Sequence, residues 1–99
     1  MSTIDTRLKA MAHEGRRAML RSTLTMEKSA SELARVGGLS RAAASQHLAM
    51  LLDAGLMRVR PEGRRRWYRT DPDALSQVSR DLDSFWSGRL EALKRAAES

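Results

Sequence analysis

Leu39-Ser-Arg-Ala-Ala-Ala-Ser-Gln-His-Leu48, continued by Ala49-Met-Leu-Leu-Asp-Ala-Gly55, decides how this chain folds. Ser40 is a natural N-cap, and Gly55 a natural stop. Between them Ala44, Leu48 and Leu51 recur at helical spacing on one stripe. Ala42, Ser45, Gln46 and Ala49 occupy the opposite stripe, with Arg41 at its start. One face must be packed; the other is small and polar. Upstream, Ser29-Ala-Ser-Glu32 has capping-box spacing, Leu33 and Val36 follow on that helix, and Gly37-Gly38 ends it. The result is a short helix, a tight turn and a second capped helix over about 29–54, the signature of a helix-turn-helix.

Working outward, Ile4, Leu8 and Met11 step by four and three, predicting a helix that His13-Glu14-Gly15 interrupts. A second helix covers roughly Glu14 to Thr23, and Thr25 to Lys28 reads as a loop. Beyond Gly55 the period changes. Leu56-Met-Arg-Val-Arg60 and Arg65-Arg-Trp-Tyr-Arg-Thr70 predict two strands around a four-residue connection, Pro61-Glu-Gly-Arg64. Asp71-Pro72 then opens a last helix as cap and first position. Leu75, Val78, Leu82, Phe85/Trp86, Leu90 and Leu93 follow at steps of three and four. The predicted fold is mainly α with a small β-hairpin (α+β): a winged helix-turn-helix of about five helices plus a two-stranded wing over about 56–70. With 99 residues the chain supports a single domain, 1–99.

Charge points to a partner. The net charge is +6, and it is not spread evenly. Arg35 to Arg69 holds eight arginines against two acids, Asp53 and Glu62, while the remainder is balanced. A localised basic region on a neutral body implies a polyanion. A helix that enters the major groove needs small residues for close approach and a few side chains that reach base edges. Gln46 can pair bidentately with adenine, Arg41 can reach guanine or phosphate, and Ser45 can serve either. The expected DNA-binding residues are therefore Ser40, Arg41, Ser45, Gln46 and His47, together with Arg64, Arg65 and Arg66 on the wing. The expected partner is double-stranded DNA.

The stripes at the two chain ends, Ile4, Leu8 and Met11 with Leu82, Phe85, Trp86, Leu90 and Leu93, have no evident partner in so small a monomer. They predict a homodimer interface built from helices over about 3–13 and 72–95.

Other classes are excluded or left bare. There is no cysteine, so no disulfide scaffold, thiolate metal site or cysteine nucleophile exists. The two histidines, His13 and His47, form no catalytic constellation, and no enzyme, cofactor or metal site is expected. His13 is assigned to helix entry, and His47 to packing or a phosphate contact. Trp67 is expected to pack against the helices. The longest apolar run, Leu48 to Leu52, is far too short to span a membrane, and Met1 to Ala10 lacks a signal-peptide core. A cytoplasmic location is the expectation.

The residues carry a family resemblance. The run Leu39 to Leu48, then Leu52-Asp-Ala-Gly-Leu56, then Arg60-Pro-Glu-Gly-Arg-Arg-Arg-Trp-Tyr-Arg69-Thr-Asp-Pro72, is similar to the arsenic-repressor-type (ArsR) transcriptional regulators. Leu8-Lys-Ala-Met-Ala-His13 followed by Arg16-Arg17 fits the same family. The resemblance implies a winged-helix homodimer that binds a pseudo-palindromic operator, usually as a repressor. Phe85-Trp86 with Arg89-Leu90 resembles the branch without a thiolate sensor. The helix over Ser29 to Gly37 lacks the cysteines of metal-sensing members, and Asp81 and Asp83 have no histidine after His47 to join them. Two alternatives stay open at this point: a nickel- or zinc-responsive regulator with non-cysteine ligands, or a protein-interaction winged helix whose basic wing docks an acidic partner. The effector, if any, is not legible.

Overall fold

Every helix begins where the chain offers an acceptor to its orphan amides. In the computed structural model, which describes residues 2–98, Ser2 accepts from the Asp5 amide to open α1 (Thr3–Met11). The His13 side chain accepts from Gly15 to open α2 (Glu14–Ser22). Ser29 and Glu32 exchange bonds in a complete capping box at the start of α3 (Ala30–Gly37). Ser40 accepts from Ala43 to open α4 (Arg41–Asp53). Asp71 accepts from the amides of Asp73 and Ala74 at the head of α5 (Pro72–Glu98). Met1 and Ser99, the ends of the expected 1–99 domain, lie outside the described residues.

The helix ends follow the same logic. Gly38 and Gly55 take φ of 65° and 72°, the left-handed conformation that closes α3 and follows α4. The last carbonyls of α1 are claimed by side chains: Arg16 donates to Lys9 and Ala10, and Arg17 to Met11. This is why the chain can turn sharply at Ala12-His13 and still satisfy its backbone.

The core lies where α2, α3 and α4 meet. Met19, Leu33, Ala44, Leu48, Leu51 and Leu56 are essentially inaccessible to solvent, so the predicted inner stripe of α4 is the packed one. Strands β1 (Met57–Glu62) and β2 (Arg65–Thr70) form an antiparallel hairpin, with Met57 opposite Thr70 and Glu62 opposite Arg65. The connection is therefore two residues, Gly63-Arg64, and not the four predicted. Pro61 and Glu62 belong to the ladder because β1 is an edge strand, where a missing N–H leaves no partner unpaired. Gly63 supplies the positive φ, 60°, that such a short hairpin turn requires at its first position. The segment read as a loop also contributes pairing: Lys28 and Tyr68 exchange backbone bonds of 3.0 and 2.8 Å, a one-residue third strand on β2. One residue has no periodicity, so no pattern announced it.

α5 is the outlying element. Ala74 and Val78 are buried in its first turns, and Leu82 is half-buried against the core. Phe85, Trp86, Leu90 and Leu93 are exposed. Ile4 and Met11 also pack against the core within the protomer, so the two end stripes are partly partnered inside one chain, which corrects the expectation that neither is. Leu8 remains exposed. Among the described residues no helix is long and apolar enough to cross a membrane.

Candidate nucleic-acid interface

The N-termini of α3 and α4 and the tip and second strand of the hairpin enclose an open cleft of about 600 Å³. Five arginines border it: Arg35 from α3, Arg41 from α4, and Arg64, Arg65 and Arg66 from the wing. Among the described residues the only acid on its rim is Glu32, and that carboxylate is already engaged. It accepts from the Ser29 amide at 3.1 Å and from the Ser29 hydroxyl at 3.0 Å. The Ser29 backbone bond, then the hydroxyl, hold its carboxyl below the usual carboxylate range. Five guanidinium groups against one committed carboxylate make a strongly anion-seeking surface.

Beside the cleft, α4 turns its outer stripe to solvent. Arg41, Ala42, Ser45, Gln46 and Ala49 are all exposed. Ser45 reaches the cleft rim, and Arg41 donates a hydrogen bond to the Ser31 hydroxyl, tying the two helices of the turn together. Ser40 is exposed but its hydroxyl is occupied in capping. His47 leaves this group. It lies on the flank of α4, where its Nδ1 accepts from Arg16 and its ring meets that of His13.

The hairpin sorts its charges by strand alternation. Met57, Val59, Pro61, Arg66, Tyr68 and Thr70 share one face by register, and Met57, Tyr68 and Thr70 are buried, making it the inner one. Arg65 lies on the other face with Trp67, its guanidinium carbon 5.9 Å from the ring centroid. Trp67 is half-buried there. Two of the basic residues near the wing are neutralised. Arg58 pairs with Asp71 at 3.1 Å, and Arg60 with Glu27 at 3.0 Å and Glu62 at 3.1 Å. Arg64, Arg66 and Arg69 enter no ion pair among the described residues. Arg35 and Ser31 also line this surface, beyond the residues that the sequence pattern marks. Their signal was available only in part: both sit on α3, but their distance from the wing depends on how the helix pair is set against the hairpin.

Among the described residues no group of three His, Cys, Asp or Glu side chains converges to hold a metal ion.

Known proteins share this fold. The helix-turn-helix domain family matches residues 11–60, from the end of α1 to the middle of β1. Over 95 residues the chain is 38% identical to an HTH-type transcriptional regulator of Mycobacterium tuberculosis, covering 96% of this chain and 89% of that protein. The ArsR-like transcriptional regulator from Rhodococcus sp. RHA1 superposes with a TM-score of 0.79 at 32% identity, over 98% of this chain and 94% of that one. A homodimeric winged helix-turn-helix DNA-binding domain from Mycobacterium bovis, solved by NMR, superposes with a TM-score of 0.66 at 27% identity, over 94% and 83% of the two chains.

Proposed function

We propose that this chain, which belongs to the ArsR-type winged helix-turn-helix transcriptional regulators, acts as a homodimeric repressor that reads a pseudo-palindromic operator with α4 and grips its backbone with arginines of the cleft. The observation that carries the reading is the juxtaposition of two surfaces. A small, polar, solvent-facing helix stripe suited to base edges adjoins a concave surface suited to phosphates, and a protein that reads duplex DNA needs both. The relative from Mycobacterium bovis supports the dimeric state by likeness.

In this reading Gln46 and Ser45 supply base contacts, and Arg35, Arg41, Arg64 and Arg66 supply phosphate contacts. Two-fold symmetry sets the recognition helices about 34–36 Å apart, one turn of duplex. Repression follows from occlusion of the promoter. The chain works by binding and not by catalysis.

The test is selection of duplexes from a random-sequence pool, followed by titration of the enriched sequence. Gln46→Ala removes one base contact per half-site, worth about 1–3 kcal/mol each, and leaves the fold intact because the side chain is exposed. Equal affinities of parent and variant for both enriched and scrambled DNA would show that this face is not the reader.

A further inference from the structure

Arg16 of α2 is only 8% exposed, and among the described residues it has no carboxylate within ion-pair distance. Four other acceptors hold its guanidinium. Nε donates to the Ala10 carbonyl at 2.6 Å and Nη2 to the Lys9 carbonyl at 3.2 Å. Nη1 lies 2.7 Å from His47 Nδ1 and 3.3 Å from Met50 Sδ. The two carbonyls are the negative end of α1. His47 and Met50 are neighbours one turn apart on α4. A single buried cation therefore staples the recognition helix to the end of α1. A second arginine reinforces the junction from the other side: Arg7 Nε on α1 donates to the carbonyl of Ala54, the C-cap of α4, at 2.9 Å.

This staple constrains protonation. A guanidinium only donates, so His47 Nδ1 must accept and be bare, with the ring proton on Nε2. The His13 ring lies against it at 4.4 Å between centroids, and His13 Nδ1 is itself an acceptor, for the Gly15 amide at 3.0 Å. A proton on His47 Nδ1 would set donor against donor and place a second positive charge beside a buried one.

We infer that Arg16 is a positioning residue for DNA recognition, holding α4 in its reading attitude through a deprotonated His47, so that acidification releases the helix and weakens operator binding. The inference rests on the reading of α4 as the DNA-contacting helix. The groups that bear on the His47 imidazole are His13, at the junction of α1 and α2, and Arg16 of α2. Burial first, then His13 and Arg16, hold its pKa below the usual histidine value, and no carboxylate acts to raise it. Lys9 of α1 and Asp53 of α4 border the adjoining groove beside Met50. The sign is diagnostic. A histidine that met a phosphate would bind DNA more tightly when protonated, whereas this one binds less tightly.

The experiment uses the full chain and a duplex enriched from a random-sequence pool by the parent protein at about pH 7.5, with binding then measured at about pH 7.5 and about pH 5. The parent is expected to lose about tenfold in affinity, the scale of one hydrogen bond to a charged group. In His47→Asn an amide oxygen stands near the place of Nδ1 and cannot take up a proton, so its own ratio between the two pH values falls within about twofold. Arg16→Lys, lacking the forked donor set, binds more weakly at both pH values. Because Arg16→Lys is a core change, nitrogen NMR of the parent supplies a readout free of variants. At neutral pH, His47 Nδ1 should be the bare nitrogen, and the Arg16 Nε–H signal should move as His47 titrates. A His47→Asn protein that keeps the parent's pH ratio, a parent that binds more tightly on acidification, or a proton on His47 Nδ1 at neutral pH would each overturn the inference. Failure to enrich any duplex would bring down the reading of α4, and this inference with it; enrichment with a flat pH profile would bring down this inference alone.

Discussion

Single residues hold the joints between elements, and the buried threonines show how. Thr23, at the end of α2, and Thr70, at the end of β2, are both inaccessible, with their hydroxyl oxygens 2.9 Å apart. Thr70 Oγ1 is 2.8 Å from the Leu20 carbonyl, and Thr23 Oγ1 is 2.9 Å from the Met19 carbonyl. Two hydroxyls carry two protons, so one serves a carbonyl of the last turn of α2 and the other serves its neighbour. The pair welds the wing root to α2. Thr70→Val removes one hydroxyl from a site that water cannot reach and leaves its partners short. The expected cost is about 1–3 kcal/mol, read as a lower urea midpoint with unchanged slope. A midpoint equal to the parent's would mean that the pair is only a contact.

The wing is the element whose geometry matters most for binding. Its turn has room but no tolerance: a Cβ at Gly63 would meet nothing within 4 Å, yet φ is +60° there. Gly63→Ala therefore isolates the backbone penalty, about 1 kcal/mol, with no steric contribution. Denaturant titration should show this loss, and Gly63→Asn should recover part of it, since asparagine tolerates the left-handed region. At the tip, Arg64 has no ion-pair partner among the described residues, in contrast to Arg58 and Arg60, which are held by Asp71 and by Glu27 and Glu62. Arg64→Ala should lower the dependence of log affinity on log salt by roughly 0.9 per lost contact, or about two units per dimer. Phosphate contacts carry no sequence, so specific and random duplexes should weaken by similar factors. An unchanged slope on both would place the wing off the DNA. Arg60, already satisfied within the protein, should have a smaller effect on the slope.

At the scale of the whole molecule the shape is the informative quantity. The radius of gyration is 16.7 Å and the longest extent 63 Å, whereas a chain of this length packed as a sphere-like domain would have a radius near 13 Å (roughly, from size scaling). The excess comes from α5, whose 27 residues span about 40 Å at 1.5 Å per residue. Its distal half carries Phe85, Trp86, Leu90 and Leu93, with Trp86 51% and Leu93 65% exposed. An extended helix with an uncovered apolar stripe is what a second copy would bury, alongside the exposed Leu8 of α1. Trp86→Asp places a charge in that surface. Light scattering should report a dimer for the parent and a monomer for the variant, with the helix-turn-helix core still folded. A parent that stays monomeric at micromolar concentration would refute the dimer.

What the sequence by itself determined is local. Ser29, Ser40 and Asp71 announce the starts of α3, α4 and α5, and Gly38 and Gly55 announce stops, because caps are settled by groups within a few residues of one another. The two faces of α4 were legible for the same reason: helical periodicity alone separates Leu48 from Gln46. What only the tertiary structure decided is where each charged or polar side chain spends its bonding capacity. Arg60 meets Glu27 across 33 positions of chain, and His47 meets Arg16 across 31. His47 was expected among the DNA-binding residues, and its Nδ1 is instead engaged by a cation from α2. Arg35 joins the wing arginines only once α3 is set against the hairpin, and Lys28 becomes a strand only by pairing with Tyr68. Side-chain pattern fixes an element's inside and outside, but the partner of a guanidinium or an imidazole is whichever acceptor the packing of distant elements brings within about 3 Å, and that distance is not written in any local stretch.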